Sequence, residues 1–309
     1  MAVISDSTEH IVLGNSTRKP KYRGPAQSLW WFILPAAALY VFAVVVPSVQ
    51  GGVFSFTDWD GVSPERNWVG FKQFAAIFRD ANGLVAIRNT LLIAVIVTVV
   101  QNLIGLLIAL GVNSRIKSRN VLRVLFFAPV VITSIAVGFL WQNLLAPEGA
   151  LNTILNAVGL GALRQNWLGD PDIVIWSIGL VMIWQFSGYS MVIFLAGLQG
   201  IPDEILEAAA IDGAGSVRRF WSVVRPMLAP AFTINLMLSL IGGFKLFDQV
   251  LVMTQGGPGG VSNTISTLIY SNAFQLGRFG YGAALAVILT IFVAVAATIQ
   301  YRFLAKQEG

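Results

Sequence analysis

Lys245 and Asp248 are the only charged residues inside the long apolar stretches of this chain, and such groups are costly in hydrocarbon unless paired or used. Three positions apart, they share one face of a helix. They can form a structural salt bridge near the end of a membrane span, or serve as a gating pair on a proton or cation path. Trp184, Gln185, Tyr189 and Ser190 supply aromatic faces, an amide and hydroxyls where another apolar stretch turns polar. Groups of these types hold a sugar when they point into a shared cavity, and they join helices to one another when they do not. Covalent chemistry has no candidates. There is no cysteine and a single histidine, His10, and neither a phosphate-binding G-x-x-x-x-G-K-[ST] run nor an H-E-x-x-H pair occurs. Catalytic residues and metal ligands are therefore expected to be absent.

The elements that must position these groups are membrane spans. Hydrophobic residues make up 56% of the chain and charged residues 11%, far from the averages of soluble domains. Six stretches are long enough to cross a bilayer: 29–49, 90–111, 124–146, 173–198, 227–253 and 281–301. The first exceeds the apolar core of a signal peptide, so it reads as a retained span. Prolines and glycines inside the spans, such as Pro35, Pro129 and Gly138, are ordinary in membrane helices. The chain reads as all-α and polytopic, with six transmembrane helices. A polar N-terminal tail, 1–28, precedes a transmembrane domain over 29–303, and a short tail, 304–309, follows it.

Lysine and arginine placement sets the orientation, because cationic loops resist translocation. Arg18, Lys19, Lys21, Arg23, Arg115, Lys117, Arg119, Arg123, Arg218, Arg219, Arg225, Arg302 and Lys306 fall on one side; Arg66, Lys72, Arg79, Arg88, Arg164 and Arg278 fall on the other. Both termini are thus expected in the cytoplasm. The net charge of +5 reflects this bias, and the basic residues are too dispersed among membrane anchors for nucleic-acid binding.

The cytoplasmic segment 199–227 is the most informative stretch. Pro202, Asp203 and Glu204 suit the first turn of a short helix, the alanines of Glu207-Ala208-Ala209-Ala210-Ile211-Asp212-Gly213 let another protein pack closely, and Gly213 suits a left-handed stop. Ser216 is placed to cap a second amphipathic helix with Phe220, Trp221 and Val224, which Pro226 ends or kinks. The segment resembles the EAA coupling loop of permease subunits in ABC importers. Ser55-Phe56-Thr57-Asp58-Trp59-Asp60-Gly61, Trp68-Val69-Gly70-Phe71 and Arg88-Asn89-Thr90 are similar to the carbohydrate-type permeases, in particular to the maltose system's F subunit. So are Phe244-Lys245-Leu246-Phe247-Asp248, Met253-Thr254-Gln255-Gly256-Gly257-Pro258 and Asn263-Thr264. One departure is Val223-Val224-Arg225-Pro226, where an arginine replaces the apolar residue before the proline. Such an arginine can snorkel to the cytoplasmic interface.

The resemblance implies a type I ABC importer permease fold in a bacterial or archaeal cell membrane. It implies a second permease subunit, two cytoplasmic ATPase subunits holding ATP and Mg, an extracellular sugar-binding protein, and a sugar or oligosaccharide as cargo. Glu207, Ala208, Ala209, Asp212 and Gly213 would enter an ATPase cleft. An in-register correspondence places sugar-contacting positions on Ser239, Gly242 and Gly243, facing Gln185 and Tyr189 across the pathway. The two glycines could equally serve close helix packing. A proton-coupled secondary transporter using Asp248 is the alternative reading, against which stand the EAA loop and the poverty of intramembrane acids.

Overall fold

The computed structural model describes residues 26–305 apart from Arg115. His10, Arg18, Lys19, Lys21, Arg23, Arg115 and Lys306 lie outside the described residues, as does most of the tail expected over 1–28. The chain divides into two compact units, 1–49 and 50–309. In the first, α1 (Ala26–Tyr40) passes through a π-helical turn, Val41–Val45, into α2 (Val46–Phe54), whose last turn belongs to the second unit. Pro35 sits inside α1 without ending it.

The second unit is almost wholly helical, and its one β-bridge among the described residues joins Thr57 to Trp68. It contains α3 (Lys72–Arg79), α4 (Ala81–Asn113), α5 (Arg119–Val131), α6 (Ser134–Leu144), α7 (Ala150–Ala157) and α8 (Val174–Gln199). After these come α9 (Asp203–Ile211), α10 (Ser216–Arg219), a π-turn at Phe220–Val224, α11 (Arg225–Met227), α12 (Ala229–Phe244), α13 (Asp248–Met253), α14 (Ile265–Tyr270) and α15 (Phe279–Ala305). The centre is α8, packed chiefly on α4 and also on α5 and α12. Small residues allow the approach: a Cβ at Gly188 would collide with the Phe126 carbonyl, and one at Gly179 would lie 3.0 Å from Ile93 Cδ1.

Two of the six expected spans are not continuous. The third is broken into α5 and α6, bent by 99°. Pro129 supplies no N–H, and the β-branched run Val130-Val131-Ile132-Thr133 has little helical preference. Ile132 leaves the helix at ψ 135, and Thr133 starts the next one by accepting from the Ala136 N–H at 3.4 Å. The fifth span is interrupted after Gly242-Gly243-Phe244: Phe247 stands at φ −135, and Asp248 opens α13 with an acid in its first turn. This overturns the shared helical face expected for Lys245 and Asp248, because the regular helix stops between them.

Candidate functional site

The two broken spans meet around a cavity of about 410 Å³. Tyr189, Phe186 and Met182 line it from α8, Ser239, Gly242 and Leu238 from α12, and Gln101 from α4. The interrupted stretch contributes Lys245, Leu246, Phe247, Asp248 and Gln249, and the bent span contributes Val130 and Ser134. Of the residues expected on the pathway, Tyr189, Ser239 and Gly242 are therefore brought together.

Gln185 and Gly243 do not line the cavity. Gln185 is 1% exposed; its Nε2 donates to the Ile132 carbonyl at 3.1 Å, and its Oε1 accepts from Gln249 Nε2 at 2.9 Å. One buried amide thus satisfies the carbonyl freed at the bend of the third span and ties it to the segment beyond the break of the fifth. Gly243 faces α4: an added Cβ would lie 2.6 Å from the Ala94 Cα, whereas at Gly242 the nearest atom, Met182 Cε, is 3.9 Å away. The neighbouring glycines split the two roles left open by the sequence, one facing open space and the other a helix seam.

Lys245 and Asp248 both border the cavity, but no ion pair within 4.0 Å joins them; among the described residues the only such pair is Arg164 with Glu148, at 4.0 Å. The expected salt bridge is replaced by two separate charges at a helix break. Trp184 packs edge-on against Trp141, with ring centroids 5.3 Å apart. Ser190 accepts from Gln101 Nε2 at 2.9 Å, and the Ser190 carbonyl accepts from Asn235 Nδ2 at 2.9 Å. Asn102 Nδ2 donates to Ser239 Oγ at 2.7 Å. Gln101, Gln249, Asn102 and Asn235 were missed in the sequence reading, although amides set among aliphatic residues are a usable signal, since buried polar groups demand partners.

The cavity wall is fastened beyond the break. Thr264 Oγ1 donates to the Leu246 carbonyl at 2.9 Å, and Asn89 Nδ2 donates to the carbonyls of Val261 and Asn263 at 2.7 and 2.9 Å. Thr90 Oγ1 accepts from the Ile265 N–H at 2.9 Å.

At the other end of α8, α9 projects with Glu207, Ala208, Asp212 and Gly213 exposed and Ala209 half-buried. Gly213 takes φ +77, and the Ala214 and Gly213 N–H groups donate to the Ala209 and Ala210 carbonyls at 3.0 and 3.1 Å. These two bonds form the left-handed stop expected from the sequence. The Ser216 cap is corrected: Gly215 occupies the N-cap without a side-chain bond, and Ser216 is the first helical residue. Arg225 lies 5.5 Å from the Trp221 ring centroid, so its charge rests on an aromatic face. Leu206, Phe220 and Val224 anchor the segment against Leu198, Ile201 and Leu228.

Residues 101–308 match the family of binding-protein-dependent transport system inner membrane components. The chain belongs to that family. It is 37% identical over 279 residues to the probable starch degradation products transport system permease protein AmyD of Thermoanaerobacterium thermosulfurigenes, covering 90% of this chain and 94% of that protein. With the trehalose/maltose transport system permease protein MalF of Thermococcus litoralis it shares 32% identity over 290 residues, 93% of this chain and 96% of the relative. The crystal structure of a bacterial ABC transporter involved in import of the acidic polysaccharide alginate matches with a TM-score of 0.80 at 21% identity, covering 91% of this chain and 96% of that one. The chain is thus a multi-pass inner-membrane component with the fold of an ABC importer permease.

Proposed function

We propose that this permease forms half of the translocation pathway of an ATP-driven carbohydrate importer and holds its cargo transiently in the cavity between the two broken spans. The observation that carries this reading is the lining itself. Tyr189 and Phe186 offer aromatic faces, Gln101 and Gln249, whose Nε2 groups are tied to Ser190 and Gln185, offer their Oε1 atoms as acceptors, and Gly242 leaves room. A polyhydroxylated ring needs both kinds of contact, and discontinuous helices are where transporters place such sites. The relatives named for starch products and for trehalose and maltose support a sugar as the cargo class.

In this reading the chain works with a second permease and an extracellular sugar-binding protein, while two cytoplasmic ATPase subunits hold ATP and Mg. The α9 helix enters an ATPase cleft, with Glu207, Ala208, Ala209 and Asp212 at the contact. Closure of the ATPases moves the spans as rigid bodies. Both termini then lie in the cytoplasm, in keeping with the positive-inside distribution of the loops.

The test is uptake by proteoliposomes holding the purified complex, its binding protein and trapped ATP, with a panel of maltodextrins and other oligosaccharides. Uptake should require internal ATP and persist when the proton gradient is collapsed, and Asp248→Asn should retain most of it. Strict dependence on the gradient at constant ATP would overturn the reading in favour of proton coupling through Asp248.

A further inference from the structure

We propose that the groove between α5 and α8, at the end of the bundle that carries α9, binds an anionic phospholipid, with Arg123 holding the phosphate and the apolar walls receiving an acyl chain. The groove has a volume of about 360 Å³. Arg123 stands at its α5 side with Val124 and Phe127, facing Val192, Leu195 and Gln199. On α8 these lie at successive three- and four-residue steps, so they form one stripe running along the helix from its last residue inward.

Charge is the argument for the occupant. The Nε of Arg123 is buried without a hydrogen-bond partner, and among the described residues no carboxylate lies within 4.0 Å of the side chain. A guanidinium stays ionised at every accessible pH, and leaving one of its donors desolvated and unpaired is costly. No acidic residue lines the groove, while Lys117 and Arg119 add two exposed cations just ahead of Arg123. Among the described residues no carboxylate supplies the counter-ion, and the groove leaves room for an anion from the membrane to do so. A soluble anion would gain nothing from Val124, Phe127 and Leu195, whereas an amphiphile satisfies the charge and the apolar wall together. The groove also opens on the side where the loops carry most of their lysine and arginine, the side whose leaflet is rich in anionic lipid.

The complete complex, purified in mild detergent, is loaded with phosphatidylglycerol or phosphatidylcholine, and retained lipid is counted by native mass spectrometry. Wild type should retain phosphatidylglycerol in preference to phosphatidylcholine. Arg123→Gln should weaken that retention about fivefold, the usual effect of one basic residue at an anionic surface, and Arg123→Lys should restore most of it. Ala196→Phe fills the groove from an exposed position without touching the charge. It should lower retention as well, and it decides the matter if Arg123→Gln fails to fold. Equal retention of the two lipids by wild type would overturn the proposal. So would unchanged retention in Arg123→Gln, or a loss of subunit assembly with lipid content intact, which would assign Arg123 to a carboxylate of a partner subunit. None of these readouts depends on sugar uptake.

Discussion

Gly213 and Gly256 both adopt left-handed backbone, at φ +77 and +86, yet they sit in opposite surroundings. A Cβ built on Gly213 meets nothing within 4 Å, whereas one built on Gly256 collides with the Asn263 side chain. The first glycine stops a helix that is held through Leu206 but exposes most of its other residues at one end of the bundle. The second belongs to a loop fastened to α4 by Asn89 and Thr90 and to the break of the fifth span by Thr264. A surface kept free is available to another subunit, and a surface tied down keeps a cavity in shape. The two ends of the molecule therefore differ in what a substitution should damage: assembly and function at the free end, folding at the fastened one.

The largest expected effect tests the boundary between these cases, at adjacent glycines on α12. Gly243→Trp has no space, because even a Cβ would lie 2.6 Å from the Ala94 backbone, so the variant should fail to fold or to assemble. Gly242→Trp fills the cavity instead. The complex should purify intact and hydrolyse ATP without cargo while uptake is blocked. Size-exclusion profiles and uptake assays on the two variants separate the cases, and an intact Gly243→Trp complex would show that the seam is looser than the geometry implies.

That pair also marks how much was legible in the sequence. The spans could be read from apolar run length, and the stop at Gly213 from the chemistry of glycine, since both are local properties. Which of Gly242 and Gly243 faces a cavity depends on where α4 lies, and no local pattern holds that information. The bend at Ile132 was hidden for a related reason. Pro129 is tolerated in many membrane helices, and what holds a sharp break here is Gln185, 53 positions away, donating to the freed carbonyl. The same distance effect undid the Lys245 and Asp248 pairing, which assumed a continuous helix. A break in the backbone cancels any argument from shared faces.

At the free end, Gly213→Val should abolish uptake while leaving insertion, folding and thermal stability close to wild type. The β-branched residue cannot readily hold φ +77, so the orientation of α9 is lost, but there is no neighbour for the side chain to displace. Co-purification of the ATPase subunits is the readout, and normal recovery of the ATPases together with normal uptake would remove α9 from the coupling role.

A smaller effect is expected at the fastened end. Asn89 is buried and serves two carbonyls, so Asn89→Leu leaves both without their donor. The cost should be about 2 kcal/mol. Thermal unfolding of the purified permease should show it as a lower midpoint, with proteolysis appearing first between Thr254 and Asn263. An unchanged midpoint would mean that Thr90 and Thr264 hold the loop without Asn89.

The smallest expected effect concerns a turn in the segment that joins α2 to α3. Asp60 accepts from the Ser63 hydroxyl at 2.5 Å and from the N–H groups of Val62 and Ser63 at 2.9 and 2.8 Å. These bonds, the Ser63 hydroxyl first among them, favour the ionised carboxylate and lower its pKa from the usual 3.8 to about 2. Because the value is depressed on folding, the stabilisation is present above the unfolded pKa and fades as pH falls from near 4 towards 2. Amide exchange at Val62 and Ser63, normalised to an unstructured peptide, should therefore stay protected from pH 7 down to about 4. Asp60→Asn removes the charge at every pH and should lower that protection already at neutrality. The effect should stay local, because Trp59 remains clasped by Arg66, whose guanidinium carbon lies 4.5 Å from its ring centroid. Protection in wild type that disappears by pH 5 would show that the turn does not hold Asp60 ionised, and that this segment belongs with the free end of the molecule rather than the fastened one.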